Sequence, residues 1–219
     1  MKFSKIVLTV LFVFIAMLVL NSCIGASADI SIRANGSGRI ALEYRFPMML
    51  ESLGRLDGNE RWPAIPVGRA DFERSLARIP GLRLRSFSSR EVPAAQGGSD
   101  LLVKTTLDFS DTAALLAFLD TTGSHATFTH LADTYLLRLS LLDPSPQAIS
   151  DDLVSLLKEV CEGYDLRISL IVPRNASIAM FPANVEGAKL VSHGKKVSFT
   201  IAMGEMLSLS EGLVLEMKW

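Results

Sequence analysis

Asp29-Ile30-Ser31-Ile32-Arg33-Ala34-Asn35-Gly36-Ser37-Gly38-Arg39-Ile40-Ala41-Leu42-Glu43-Tyr44-Arg45-Phe46 is the stretch on which the fold turns. Ile30 and Ile32 fall on one side of an extended chain. Ile40, Leu42, Tyr44 and Phe46 do the same after the break, as a two-residue period requires. Asn35-Gly36-Ser37-Gly38 between them is a hairpin signal, because glycine and asparagine tolerate the positive φ of a tight turn. The Gly-x-Gly is not a phosphate loop, since a strand follows it and no helix does.

Outward from this hairpin the pattern repeats with variations. Residues 69–79 place Ala70, Phe72, Leu76 and Ile79 at helical spacing and stop at Pro80-Gly81. Leu82–Ser88 alternates as a strand, and residues 92–99, rich in Pro, Ala and Gly, read as a flexible loop and a possible subdivision. Leu101–Phe109 is a strand, followed by a helix from the cap Ser110 or Asp111 to Asp120. Residues 125–130 and 134–142 form an antiparallel pair. A helix then closes at Cys161, and strands follow at 164–172, 188–192, 197–203 and 213–219, with a single helical turn over 204–209. Hairpins outnumber crossovers. The expected class is α+β with a mostly antiparallel, half-open barrel-like sheet and about three flanking helices.

The N-terminus carries a different signal. Lys2 and Lys5 precede fifteen uncharged residues, Ile6 to Leu20, and then Leu20-Asn21-Ser22-Cys23. As a helix that run spans roughly 22 Å, short of the roughly 30 Å hydrocarbon core of a bilayer. A removed secretory leader therefore fits better than a retained span. Cys23, with Ser22 at −1 and Leu20 at −3, resembles the acceptor of a bacterial lipoprotein, and Asn21 at −2 resembles the looser spirochaete version of that box. Cleavage near Ala26 or Ala28 is the alternative. The expected organisation is a leader over 1–22 and one envelope domain over 23–219. The membrane partner is then reached through acyl chains on Cys23, because two or more such chains make attachment effectively permanent.

Composition narrows the classes. Residues 1–22 hold two lysines and no acid, which leaves 20 basic and 23 acidic side chains, a balance of −3. Charges are interspersed and no basic stripe appears, so nucleic acid is not an expected partner. With Cys23 assigned to lipid, Cys161 is expected as a small buried apolar residue and no internal disulfide is expected.

Catalytic signatures are weak. His125 and His130 stand on one expected strand, and His193 is remote; no cysteine and histidine cluster has zinc spacing. No Gly-x-Ser-x-Gly elbow is present. Asp151-Asp152 fits a helix start better than a catalytic pair. No enzyme activity and no cofactor are expected. Met48, Met49, Leu50, Trp62 and Ile65, in irregular proline-bearing segments, are the expected ligand-binding mouth, because methionine fills irregular shapes and tryptophan favours interfaces. Their competing role is to plug one end of the core.

Three segments together carry a resemblance: the hairpin Ala28–Phe46, the strand-to-helix step Val103–Leu119, and the closing pair Val197–Met203 and Leu213–Trp219 around Gly204-Glu205-Met206-Leu207. In this order, behind a lipoprotein leader, they resemble the LppM-like lipoproteins of bacterial envelopes. The resemblance implies a half-open β-barrel-like fold and binding of lipid or glycolipid without catalysis. Such proteins often add a transmembrane helix near the C-terminus, whereas this chain stops at Trp219 after a strand. The alternative expectation is a scaffold lipoprotein that contacts another envelope protein.

Overall fold

A computed structural model describes residues 24–48, 68–94, 97–120, 122–144 and 151–219, without the side chains of residues 151 and 153. Among these residues eleven strands and four helices follow in the order β1 (Gly25–Ile32), β2 (Gly38–Pro47), α1 (Arg69–Leu76), β3 (Leu82–Pro93), β4 (Ser99–Phe109), α2 (Thr112–Leu119), β5 (Ala126–Leu131), β6 (Thr134–Leu142), α3 (Asp151–Val160), β7 (Asp165–Ile171), β8 (Ser177–Phe181), β9 (Lys189–His193), β10 (Lys196–Ala202), α4 (Met203–Leu207) and β11 (Leu213–Lys218). The expected α+β class and unclosed sheet are present, with the strands divided between two sheets. One runs β3-β4-β2-β1-β7-β10-β9, the other β5-β6-β11-β8.

The hairpin forms as its sequence dictates. β1 and β2 pair in register from Gly25 opposite Arg45 to Ile32 opposite Gly38. The Arg33 amide donates to the Ser37 carbonyl at 2.7 Å, and Gly36 takes φ +81°. Asn35 Oδ1 accepts from the Ser37 amide and hydroxyl at 3.1 and 2.8 Å, which closes the turn from its side chain.

Every neighbouring pair of strands is antiparallel except β1 and β7, which run parallel with Ala26 opposite Leu166. The alternating apolar residues of the two sheets meet in one core. Ile30, Ile40, Leu107, Leu170, Val197 and Phe199 come from the larger sheet, and Leu137, Leu215 and Met217 from the smaller, all fully or almost fully buried. Each such side chain contributes about 1.5–3 kcal/mol relative to exposure. The opposite face of the larger sheet is polar. There Arg39 and Arg85 hold Asp108 at 3.0 and 3.3 Å, and Lys104 meets Glu43 at 2.6 Å.

α2 starts as its cap predicts: Asp111 Oδ1 accepts from the Ala114 amide at 2.8 Å, and this bond holds its carboxyl below the usual range. α1 buries Phe72 and Leu76 toward β3, with Phe72 and Phe87 ring centroids 5.7 Å apart. Two local expectations change. The loop expected over 92–99 is shorter than expected, because Val92 and Pro93 end β3 and Ser99 opens β4, paired across the turn. Residues 177–181 form β8, a strand not expected from the sequence, which borders β11. No helix among the described residues is long and apolar enough to cross a membrane.

Candidate functional site

Three elements of the fold converge at the glycine-turn end of the hairpin. The β1–β2 turn brings Arg33, Ala34, Asn35 and Gly36; β5 and β6 bring Phe128 and Tyr135; the β7–β8 connection brings Pro173 and Arg174. With Ile32, Thr112 and Trp219 they line a half-open cleft of about 330 Å³. This is at the small end of the range of ligand sites.

The cleft has an aromatic wall fixed by register. β11 continues its pairing with β6 by one residue: the Tyr135 amide donates to the Trp219 carbonyl at 2.9 Å, and the Trp219 amide returns a bond at 3.1 Å. Their rings stack at 5.8 Å between centroids, and Phe128 lies 5.7 Å from Tyr135 and 5.6 Å from Trp219. His130 stacks on Tyr135 at 4.4 Å, outside the lining. Trp219 is nearly buried, so its ring is held fixed in the wall.

The two guanidiniums flank this wall. Arg33 Nη1 donates to Ser37 Oγ at 3.2 Å, and Arg174 Nη1 to the Asp133 carbonyl at 2.8 Å. Among the described residues neither guanidinium bonds a carboxylate, and the fork geometry of arginine suits a planar or tetrahedral anion. A wall of π faces beside two guanidiniums can hold a ring with an acidic substituent. It offers no nucleophile with a base.

A second, shallower cleft of about 250 Å³ lies against the larger sheet and is lined by Ser27, Asp29, Glu43, Lys104 and Thr106 among others. The Glu43–Lys104 pair offsets two of its charges, and Asp29 adds a further carboxylate.

The other end of the hairpin holds a buried polar assembly. Asp100 is fully buried, accepts from Arg45 Nε, and accepts from the Tyr164 hydroxyl at 2.9 and 3.1 Å. Burial first, then the bond to Asp100, pushes the Tyr164 hydroxyl up to about 12. This tyrosine stays protonated at physiological pH, which suits a structural tie.

Of the residues expected to bind ligand, Met48 lies near this assembly, packed on Phe46, Leu101 and Val103 and away from the aromatic cleft. Met49, Leu50, Trp62, Ile65 and Cys23 lie outside the described residues. His125 approaches Asp143 at 3.7 Å, and His193 is exposed in β9. Among the described residues no group of three His, Cys, Asp or Glu is placed to hold a metal. Cys161 is buried as expected, at 2% exposure, but it is disulfide-bonded, which overturns the expectation of no internal disulfide. That expectation counted cysteines after assigning Cys23 to lipid.

Sequence reasoning missed Arg33, Phe128, Tyr135, Arg174 and Trp219 as a group. The only local signal was the aromatic ending of the last strand, Leu213 to Trp219. No protein-family model matches the chain, and the search of curated proteins gives no match. Among solved structures, a protein of Parabacteroides distasonis ATCC 8503 described as a candidate protease matches over 90% of this chain at 9% identity and a TM-score of 0.35. The match takes in 40% of that longer chain, and a likeness of this degree assigns neither family nor activity.

Proposed function

We propose that this is a lipid-anchored bacterial cell-envelope protein that binds the anionic saccharide headgroup of a glycolipid, without catalysis, in the aromatic–arginine cleft. The anchor rests on the leader and Cys23 in the sequence. The ligand class rests on one observation: two guanidiniums, without carboxylate partners among the described residues, flank the stacked wall of Tyr135, Phe128 and Trp219. Aromatic faces receive the apolar face of a sugar ring, and arginine forks receive its acidic group.

The test is binding of the purified protein to vesicles that carry an acidic glycolipid, a neutral glycolipid or an anionic phospholipid. Preference for the acidic glycolipid, lost in the double variant Arg33→Glu with Arg174→Glu, supports the reading. Equal binding to phospholipid of the same charge, or no vesicle binding, sinks it.

A second reading, a scaffold lipoprotein that contacts another envelope protein, draws on the β9 edge. β9 ends the larger sheet, and its Val191 is 56% exposed beside the exposed Leu190. An unpaired strand edge of this kind can accept another chain.

A further inference from the structure

The aromatic–arginine cleft has a cationic neighbour that its wall does not include. Lys195 belongs to the turn between β9 and β10, and this turn is bonded to the β7–β8 connection on both sides of Arg174. The Val172 amide donates to the Lys195 carbonyl at 3.0 Å, and the Ala176 amide to the Gly194 carbonyl at 2.8 Å. Pro173 and Arg174, held between those two bonds, line the cleft. β1, β7 and β10 are consecutive in the larger sheet, so Arg33, Arg174 and Lys195 stand at three neighbouring strand ends. Adjacent strands lie about 4.8 Å apart.

Alternation separates Lys195 from the lysine that follows it. Lys196 pairs with Ile171, which is 45% exposed on the polar face of the larger sheet. Lys195 stands opposite the buried Val172, and two residues before the fully buried Val197. Successive side chains of an extended chain take opposite faces. Lys195 therefore falls to the side on which the second sheet and the aromatic wall lie, and Lys196 to the other. Both are exposed.

The charges agree with this placement. Arg33, Arg174 and Lys195 have no salt bridge among the described residues. The acids near them are Asp133, in the β5–β6 turn, and Asp111, which is engaged as the cap of α2.

We propose that the cleft takes a headgroup with two acidic groups on adjacent sugars, the first between Arg33 and Arg174 beside the aromatic wall, the second at Lys195. A single acidic sugar leaves Lys195 in water. Lysine suits the outer position, because its ammonium is a compact charge on a flexible stem and does not demand one acceptor geometry. This second subsite rests on the headgroup reading of the cleft and narrows it to dianionic saccharides.

Calorimetric titration of the purified chain in neutral detergent, with two methyl glycosides of equal size, tests it. One is a disaccharide with a single uronic acid, the other a disaccharide with two. The two-acid form is expected to bind about fivefold tighter, the upper range for an exposed ion pair. Lys195→Gln is expected to remove that advantage and leave the affinity for the one-acid form as it was. Lys196→Gln, which removes the same charge one residue away, is expected to change neither. Equal affinity for the two disaccharides in the unaltered protein, or equal effects of the two lysine variants, overturns the second subsite. So does a Lys195→Gln variant that weakens both disaccharides alike. The cleft itself survives those outcomes if Arg33→Glu with Arg174→Glu still abolishes binding. Binding of neither disaccharide removes the headgroup reading, and the second subsite with it.

Discussion

The Tyr164 hydroxyl donates to both carboxylate oxygens of Asp100, at 2.9 and 3.1 Å, and so joins the start of β7 to the start of β4 through a carboxylate with no access to solvent. Arg45 on β2 supplies the countercharge, and its guanidinium carbon lies 5.8 Å from the centre of the Tyr164 ring. Three strands of the larger sheet are thereby tied at one point by polar groups.

Removal of that carboxylate leaves Arg45 without its partner and Tyr164 without its acceptor. Asp100→Ala is expected to lower stability by about 3 kcal/mol, the low end for breaking a buried pair. Tyr164→Phe removes a hydrogen bond but leaves no buried charge, and is expected to cost about 1 kcal/mol. Urea unfolding measures both. An Asp100→Ala midpoint equal to wild type would mean that the assembly is incidental.

Alkaline stability follows from the raised tyrosines. An unfolded tyrosine ionises near 10.0, whereas native Tyr164 holds its proton to about 12. Between those values the unfolded chain binds fewer protons than the native one, so stability falls as pH rises. The contribution is whole below pH 10 and lost by about pH 12. Tyr44, raised by burial, acts in the same direction. Tyr164→Phe is expected to show a shallower decline across this window, with urea midpoints measured at each pH; parallel curves would refute it.

Acid stability is expected to depend on Asp120. Its carboxylate accepts from the Thr122 hydroxyl at 2.7 Å, from the Thr122, Gly123 and Ala126 amides at 2.8, 2.9 and 2.9 Å, and from the His125 amide. The Thr122 hydroxyl first, then these amides, holds the carboxyl well below 3.8. The contribution is complete above the unfolded value and is lost as pH falls beneath it. Asp120→Asn is expected to lose less stability than wild type below about pH 4, the ordinary aspartate range, and to exchange its His125 and Ala126 amides faster at neutral pH. Unchanged exchange there would count against this role.

Two glycines of one hairpin should respond differently to a methyl group. At Gly38 a Cβ would collide with the Ser31 carbonyl and the Phe109 ring. Gly38→Ala is expected to cost about 3 kcal/mol, the upper range for overpacking. At Gly36 the nearest atom is Thr112 Cγ2 at 3.9 Å, and only the positive φ resists, at about 1 kcal/mol. Chemical unfolding of the two variants gives the order; reversal would refute the steric argument.

The strands were readable where apolar residues alternate. Ile30, Ile32 and Ile40 face the core as the hairpin pattern requires. The Asp111 cap was readable because an N-cap is a local event. β8 was not, because Ser177–Phe181 is short and half exposed, and its place depends on pairing with β11. The cleft was not readable either. Arg33 and Arg174 are 141 positions apart in the chain and meet only because β1 and β7 are neighbours.

That parallel pairing also sets a timetable. β1 is the middle strand of seven, yet its partner Leu166 lies 140 residues downstream of Ala26. A contact at such separation is slow to close, because the loop entropy must be overcome before the pairing stabilises anything. A chain synthesised N-terminus first therefore presents its central strand early and completes the sheet late. β1 can pair with β2 at once, but it gains its second neighbour only after β7 has been made, so the two halves of the larger sheet join late.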